Sequence, residues 1–303
     1  MAGPGAWRSL GFFLVGLSGI GAAVVLVGGL RLNHGPARLH YQPCIANLDT
    51  SGFMLVQSTL RPWTPDASLE DVGSAWRGLA ARKIGVIERL LAAHELDLKH
   101  ATYALLSKAR LHLHDGEPDK AYEALLAARA DAENSTELAE ELLYTIIYFQ
   151  GVTALRRGEN DNCVLCRGES SCILPIAPAA VHTKATGSRL AIRHFTEYLQ
   201  QFPDDLDVRW LLNLAHMTLA EFPQQVDPDF LITIDPFLKS EFDIGKFRDV
   251  GHLVGLNHLN TGGGAIMEDF DNDGLLDVVI TPWDYQQSMR FYRNKGDGTF
   301  EDR

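Results

Sequence analysis

The stretch AIMEDFDNDGLLDVVI, residues 265–280, sets Asp269, Asp271, Asp273 and Asp277 around Gly274, between two short apolar runs. Counted from Asp269, carboxylates fall at positions 1, 3, 5 and 9 and glycine at position 6. This spacing wraps a hard cation in oxygens, with the glycine making the sharp turn and the Leu275 carbonyl at the backbone-ligand position. Three carboxylates within five residues repel one another, and a bound cation removes that repulsion. Asp269, Asp271, Asp273, Leu275 and Asp277 are therefore the candidate ligands of one structural Ca2+. Mg2+ fits less well, because it holds its waters and demands a tighter octahedron. An EF-hand would carry Glu at position 12 and helices on both sides. Here position 12 is Ile280, and Val278-Val279-Ile280 reads as a strand.

Working outward, Phe230 to Ile234 and Phe247 to Leu256 alternate in a way that predicts strand and turn, and Ser288 to Arg293 predicts another strand. Asn294-Lys295-Gly296-Asp297-Gly298 reads as a glycine-rich turn. The phrase Gly245-Lys246-Phe247-Arg248-Asp249 returns as Gly298-Thr299-Phe300-Glu301-Asp302. The segments AIMEDFDNDGLLDVVI and FYRNKGDGTFED resemble the FG-GAP/VCBS repeat over about residues 245–303. That resemblance implies one blade of an integrin-like, all-β propeller. Propellers close with about 4–8 blades, so a single blade leaves its sheet edges uncovered. The expectation is that the reading frame continues past Arg303 or that the propeller part is truncated.

The middle of the chain has helical periodicity. Trp76, Leu79, Ile84, Ile87, Leu90 and Leu91 predict one amphipathic helix over 75–96. Ala101 to His114 predicts a second, stopped by Asp115-Gly116-Glu117-Pro118, and Asp119 to Ala132 its partner, with Pro118 tolerated in the first turn. Ala109, Gly116, Ala121 and Ala128 give this pair a resemblance to a degenerate tetratricopeptide repeat, in which small residues let antiparallel helices approach closely. Leu105 and His112 stand where the repeat carries large aromatics. Further helices are expected over Leu138–Arg157, Ser188–Phe202 and Val208–Phe222. Stacked hairpins of this kind form a short solenoid whose groove suits a protein partner, or a plain spacer.

An insertion at 160–185 interrupts the second hairpin and carries Cys163, Cys166, Cys172 and His182. Three readings stand. A disulfide between Cys163 and Cys172 would staple the loop, with Cys44 and Cys166 as a second pair. A Cys3His zinc site would use all three thiolates with His182. A redox pair would use the C-x-x-C, although that motif does not open a helix after a strand. Covalent haem attachment needs His after the second Cys, and Arg167 is there.

From Ser9 to Leu30 no charged residue occurs, and Arg8 and Arg31 flank the run. At about 1.5 Å per residue it reaches roughly 33 Å, enough for a hydrocarbon core. It reads as an uncleaved signal-anchor, with a cleavable signal peptide as the rival, since the run exceeds a typical h-region and no A-x-A site follows. The resulting organisation is α+β and multidomain. Residues 1–40 form the transmembrane helix and linker, 41–73 a connector, 74–226 the α-helical hairpin domain, and 227–303 the truncated propeller repeat. The order of anchor, tetratricopeptide-like helices and FG-GAP/VCBS repeat is also similar to bacterial relatives of the cartilage-acidic-protein (ASPIC/UnbV) family.

With 39 acids against 27 bases the net charge is −12, which argues against nucleic acid as a partner. No phosphate loop, H-E-x-x-H, dinucleotide fingerprint or serine-nucleophile signature occurs. The sequence therefore predicts a membrane-anchored binding or scaffold protein facing the periplasm or cell exterior, not an enzyme. Its partner would be a protein or a carbohydrate. The alternative is a metal- or redox-active protein working through Cys163, Cys166 and Cys172.

Overall fold

The computed structural model describes residues 39–45, 48–60, 64–163, 176, 178–239, 241–242, 245, 248–258, 260, 262–282 and 287–303. The apolar run 9–30, Cys166 and Cys172 lie outside the described residues. Among the described residues no helix is long and apolar enough to cross a membrane.

Among the described residues, the stretch from Phe53 to Met217 is built from α-helices joined by turns. The helices are α1 (Phe53–Gln57), α2 (Leu69–Trp76), α3 (Leu79–Ala92), α4 (Leu98–His114), α5 (Pro118–Glu133), α6 (Thr136–Asn162), α7 (Thr186–Gln201) and α8 (Leu206–Met217). Their starts follow from local chemistry. The side chains of Ser68, Asp97, Ser135 and Asp205 each accept a backbone N–H in the first turn of the helix that follows. Pro118 opens α5, where its missing N–H is harmless. The one helix expected over 75–96 is two, because Gly78 adopts a left-handed φ of 65° and separates α2 from α3. Trp76, Ala80, Ile84 and Ile87 still share a buried face, against Val56 and Leu111.

From α3 to α8 each helix packs against the next. Ala109, Ala121 and Ala128 are fully buried between α4 and its neighbours, so the small residues picked out in the sequence do sit at close contacts. Phe149, Phe195, Tyr198, Leu142 and Leu212 fill the core around α6. Arg129 on α5 holds Glu197 on α7 with two hydrogen bonds, one of 3.0 Å, and reaches Gln150 on α6 at 3.2 Å.

The segment after α8 departs from expectation. No strand forms at Phe230–Ile234. The Phe230 carbonyl accepts from Asn213 Nδ2 at 2.9 Å, and the Ile232 N–H donates to Asn213 Oδ1 at 3.1 Å. A buried side-chain amide on α8 thus satisfies the backbone that a sheet would otherwise pair. Among the described residues two single-turn helices follow, α9 (Asp235–Leu238) and α10 (Gly251–Val254). The second stands where strand was expected, because the Asp249 carboxylate accepts the Gly251 N–H at 3.0 Å and starts a helical turn.

The chain ends in a four-stranded antiparallel meander in the order β1 (Ala265–Glu268), β2 (Asp277–Ile280), β3 (Arg290–Asn294) and β4 (Phe300–Asp302). Ala265 pairs with Ile280, Val278 with Tyr292 and Arg293 with Glu301. Val278 and Tyr292 are buried, whereas Ile266 and Met267 on the edge strand β1 are exposed.

Candidate metal centre

The acidic loop is the connection between β1 and β2. Gly274 takes φ 84° and Asn272 φ 59°, so two left-handed residues curl the chain back on itself. The curl is fixed by the loop's own carboxylates. Asp269 accepts the N–H groups of Asp273 at 3.0 Å and Gly274 at 2.9 Å, and Asp273 accepts that of Leu275 at 2.9 Å. The result brings carboxylate oxygens of Asp269, Asp271 and Asp273 within 4.8 Å of one another on an accessible surface. Hard oxygen donors at that separation fit a calcium-sized ion.

Asp277, the fourth expected ligand, lies outside that cluster and is fully buried. One oxygen accepts the Asn294 N–H at 2.8 Å, and the other accepts the Phe270 N–H at 3.2 Å. Asn294 in turn donates its side-chain amide to the Leu276 carbonyl at 2.9 Å. Asp277 thereby ties the loop on one side and β3 on the other, across the first residue of β2.

Arg293 on β3 brings positive charge to the cluster, donating from Nε to Asp271 and from Nη2 to Asp273 at 2.9 Å. Its guanidinium holds the Asp271 carboxyl below the usual carboxylate range. An entering cation competes with Arg293 for these two carboxylates. Spacing within the loop gave no hint of this contact. The signal was present one hairpin away, in the arginine next to the turn that closes β3 onto β4.

The cysteines fall in two different settings. Cys44 packs partly buried against the helical core, and burial pushes its thiol up to about 12, so it is a packing residue with little nucleophilic character. Cys163 caps the C-terminal end of α6, and its Sγ lies 3.2 Å from Nε2 of His182. Two contacts close the base of the insertion and bring this pair together. Asn162 exchanges hydrogen bonds with the backbone of Lys184, at 2.9 and 3.0 Å, and the His182 N–H donates to the Thr218 carbonyl at 2.8 Å. Burial pushes the His182 imidazole down, favouring its neutral form. Since Cys172 is outside the described residues, the geometry of a Cys163–Cys172 bridge is not among the observed contacts.

Together, the meander and its loop define a class: a short antiparallel β-repeat with an acidic, cation-suited connection between its first two strands. Residues 269–303 match the FG-GAP-like repeat family, from the first aspartate of the loop to the end of β4. The chain thus carries an FG-GAP-like repeat preceded by a helical region. Comparison with curated proteins and with solved structures gave no match.

Proposed function

We propose that this chain is an exported binding or scaffold protein, anchored by residues 9–30, whose FG-GAP/VCBS repeat is stabilised by one Ca2+ at Asp269, Asp271 and Asp273. The Leu275 carbonyl completes the proposed ligand set, while Asp277, its two oxygens taken by the N–H groups of Phe270 and Asn294, clasps the loop to β3. The observation that carries this reading is the convergence of three carboxylates in a curled loop inside a recognised FG-GAP-like repeat. The proposed role is binding, not catalysis, and the ion is structural: its ligands all belong to one short loop, which it ties between two strands. The exposed Ile266 and Met267 on β1 are the kind of surface that a neighbouring blade covers in a propeller. The helical region, in the tetratricopeptide-like reading, would present the repeat or hold a protein partner. A protein or carbohydrate ligand outside the cell fits this arrangement.

Calorimetric titration of the full-length protein with Ca2+ tests the reading. One site per chain is expected, weaker for Mg2+, and lost in Asp271→Ala. At a free Ca2+ concentration of about a hundred times Kd, the native state should gain about 2.7 kcal/mol. No binding heat, together with melting that is identical in calcium and in chelator, would reject it.

A further inference from the structure

We propose that Cys163 and His182 are two ligands of a zinc-class divalent metal site at the C-terminal end of α6, separate from the acidic loop. The geometry begins with the 3.2 Å approach of Cys163 Sγ to His182 Nε2. His182 is only 6% exposed, so the imidazole is held in this position.

The other ring nitrogen, Nδ1, lies 3.0 Å from Ser188 Oγ, and the Thr218 hydroxyl donates to that oxygen at 2.8 Å. With Nδ1 also donating to Ser188, the Nε2 lone pair faces the sulfur. A metal-binding histidine is oriented in this way, its second nitrogen donating to a fixed acceptor.

The site's position separates a metal ligand from a bare nucleophile. Cys163 sits among the last carbonyls of a 27-residue helix, whose partial negative charge disfavours an isolated thiolate and favours a cation. Bond lengths of about 2.3 Å to sulfur and 2.0–2.1 Å to nitrogen in a tetrahedron put the two donors about 3.6 Å apart. Opening the observed contact by about 0.4 Å admits the ion. Thiolate with imidazole selects zinc-class metals over calcium or magnesium, which take oxygen.

Co2+ titration of the reduced full-length protein reads the site directly, through the near-ultraviolet thiolate-to-cobalt band. The band should appear with one equivalent, disappear in Cys163→Ser, and persist in Cys44→Ser. Affinity should fall at least tenfold in His182→Gln and about tenfold in Ser188→Ala, which keeps the ligands and loses only their orientation. Circular dichroism verifies that each variant is folded. Retention of the band in Cys163→Ser, or unchanged affinity in both His182→Gln and Ser188→Ala, would overturn the proposal. So would a peptide map of the protein as isolated that shows Cys163 in a disulfide.

Discussion

Asp277→Ala is expected to destabilise the C-terminal sheet by about 3 kcal/mol, whether calcium is present or chelated. The carboxylate is fully buried and accepts two backbone N–H groups, from Phe270 and from Asn294. Hydrogen bonds to a charged group contribute about 1.5–3 kcal/mol each, and buried donors left unpaired carry a comparable penalty. At 1.4 kcal/mol per factor of ten, amides of β2 and β3 should exchange about a hundredfold faster in the full-length variant. Asp277→Asn keeps one acceptor oxygen and should fall between. The measurement in chelator is decisive. If Asp277 acted only through the ion, the exchange difference would vanish there, and the clasp assigned to it would be wrong.

The second large effect is expected far from the sheet. A Cβ added at Gly187 would stand 2.4 Å from the backbone nitrogen of Gly158, 2.6 Å from its Cα and 2.7 Å from the Ala154 carbonyl. All three are main-chain atoms of α6, which cannot swing aside as a flexible side chain can. Gly187→Ala should therefore force α6 and α7 apart, at a cost of about 2–3 kcal/mol. For a helical region of this size that corresponds to a fall in Tm of about 8 °C. Gly73 is the control: it is also helical, but an added Cβ meets nothing within 4 Å. Gly73→Ala should raise stability by about 0.5–1 kcal/mol, since alanine favours the helix and restricts the unfolded chain. Equal melting of the two variants would show that the α6–α7 approach is not the tight contact described. The same approach places Ser188 under His182, so Gly187→Ala should also weaken the proposed Cys163–His182 metal site.

Much of the chain was readable without coordinates, and the readable parts share a physical character. The acidic loop uses residues within nine positions of each other, so its spacing alone predicts that carboxylates converge, and Asp269, Asp271 and Asp273 do so. The hairpin of α4 and α5 was marked by Gly116, Pro118 and the buried alanines, because helix ends and close contacts depend on local backbone chemistry. The strand after the loop was likewise expected, from the β-branched run Val278-Val279-Ile280, and β2 spans it.

Tertiary structure decided what rests on distant partners. Phe230–Ile234 alternates like a strand, yet the buried amide of Asn213 claims its backbone, and no pattern within the segment encodes that competitor. Asp277 has the spacing of a ligand, but the β2–β3 register places it under the Asn294 N–H and makes it a clasp. Arg293 reaches the acidic loop only because the same register sets it beside Asp271 and Asp273. Cys163 meets His182 because two glycines let α6 and α7 cross closely and Asn162 pins the base of the insertion. Sequence spacing fixes which groups can meet within a few residues. Which groups meet across the fold depends on packing and register, which are settled only when the whole chain has folded.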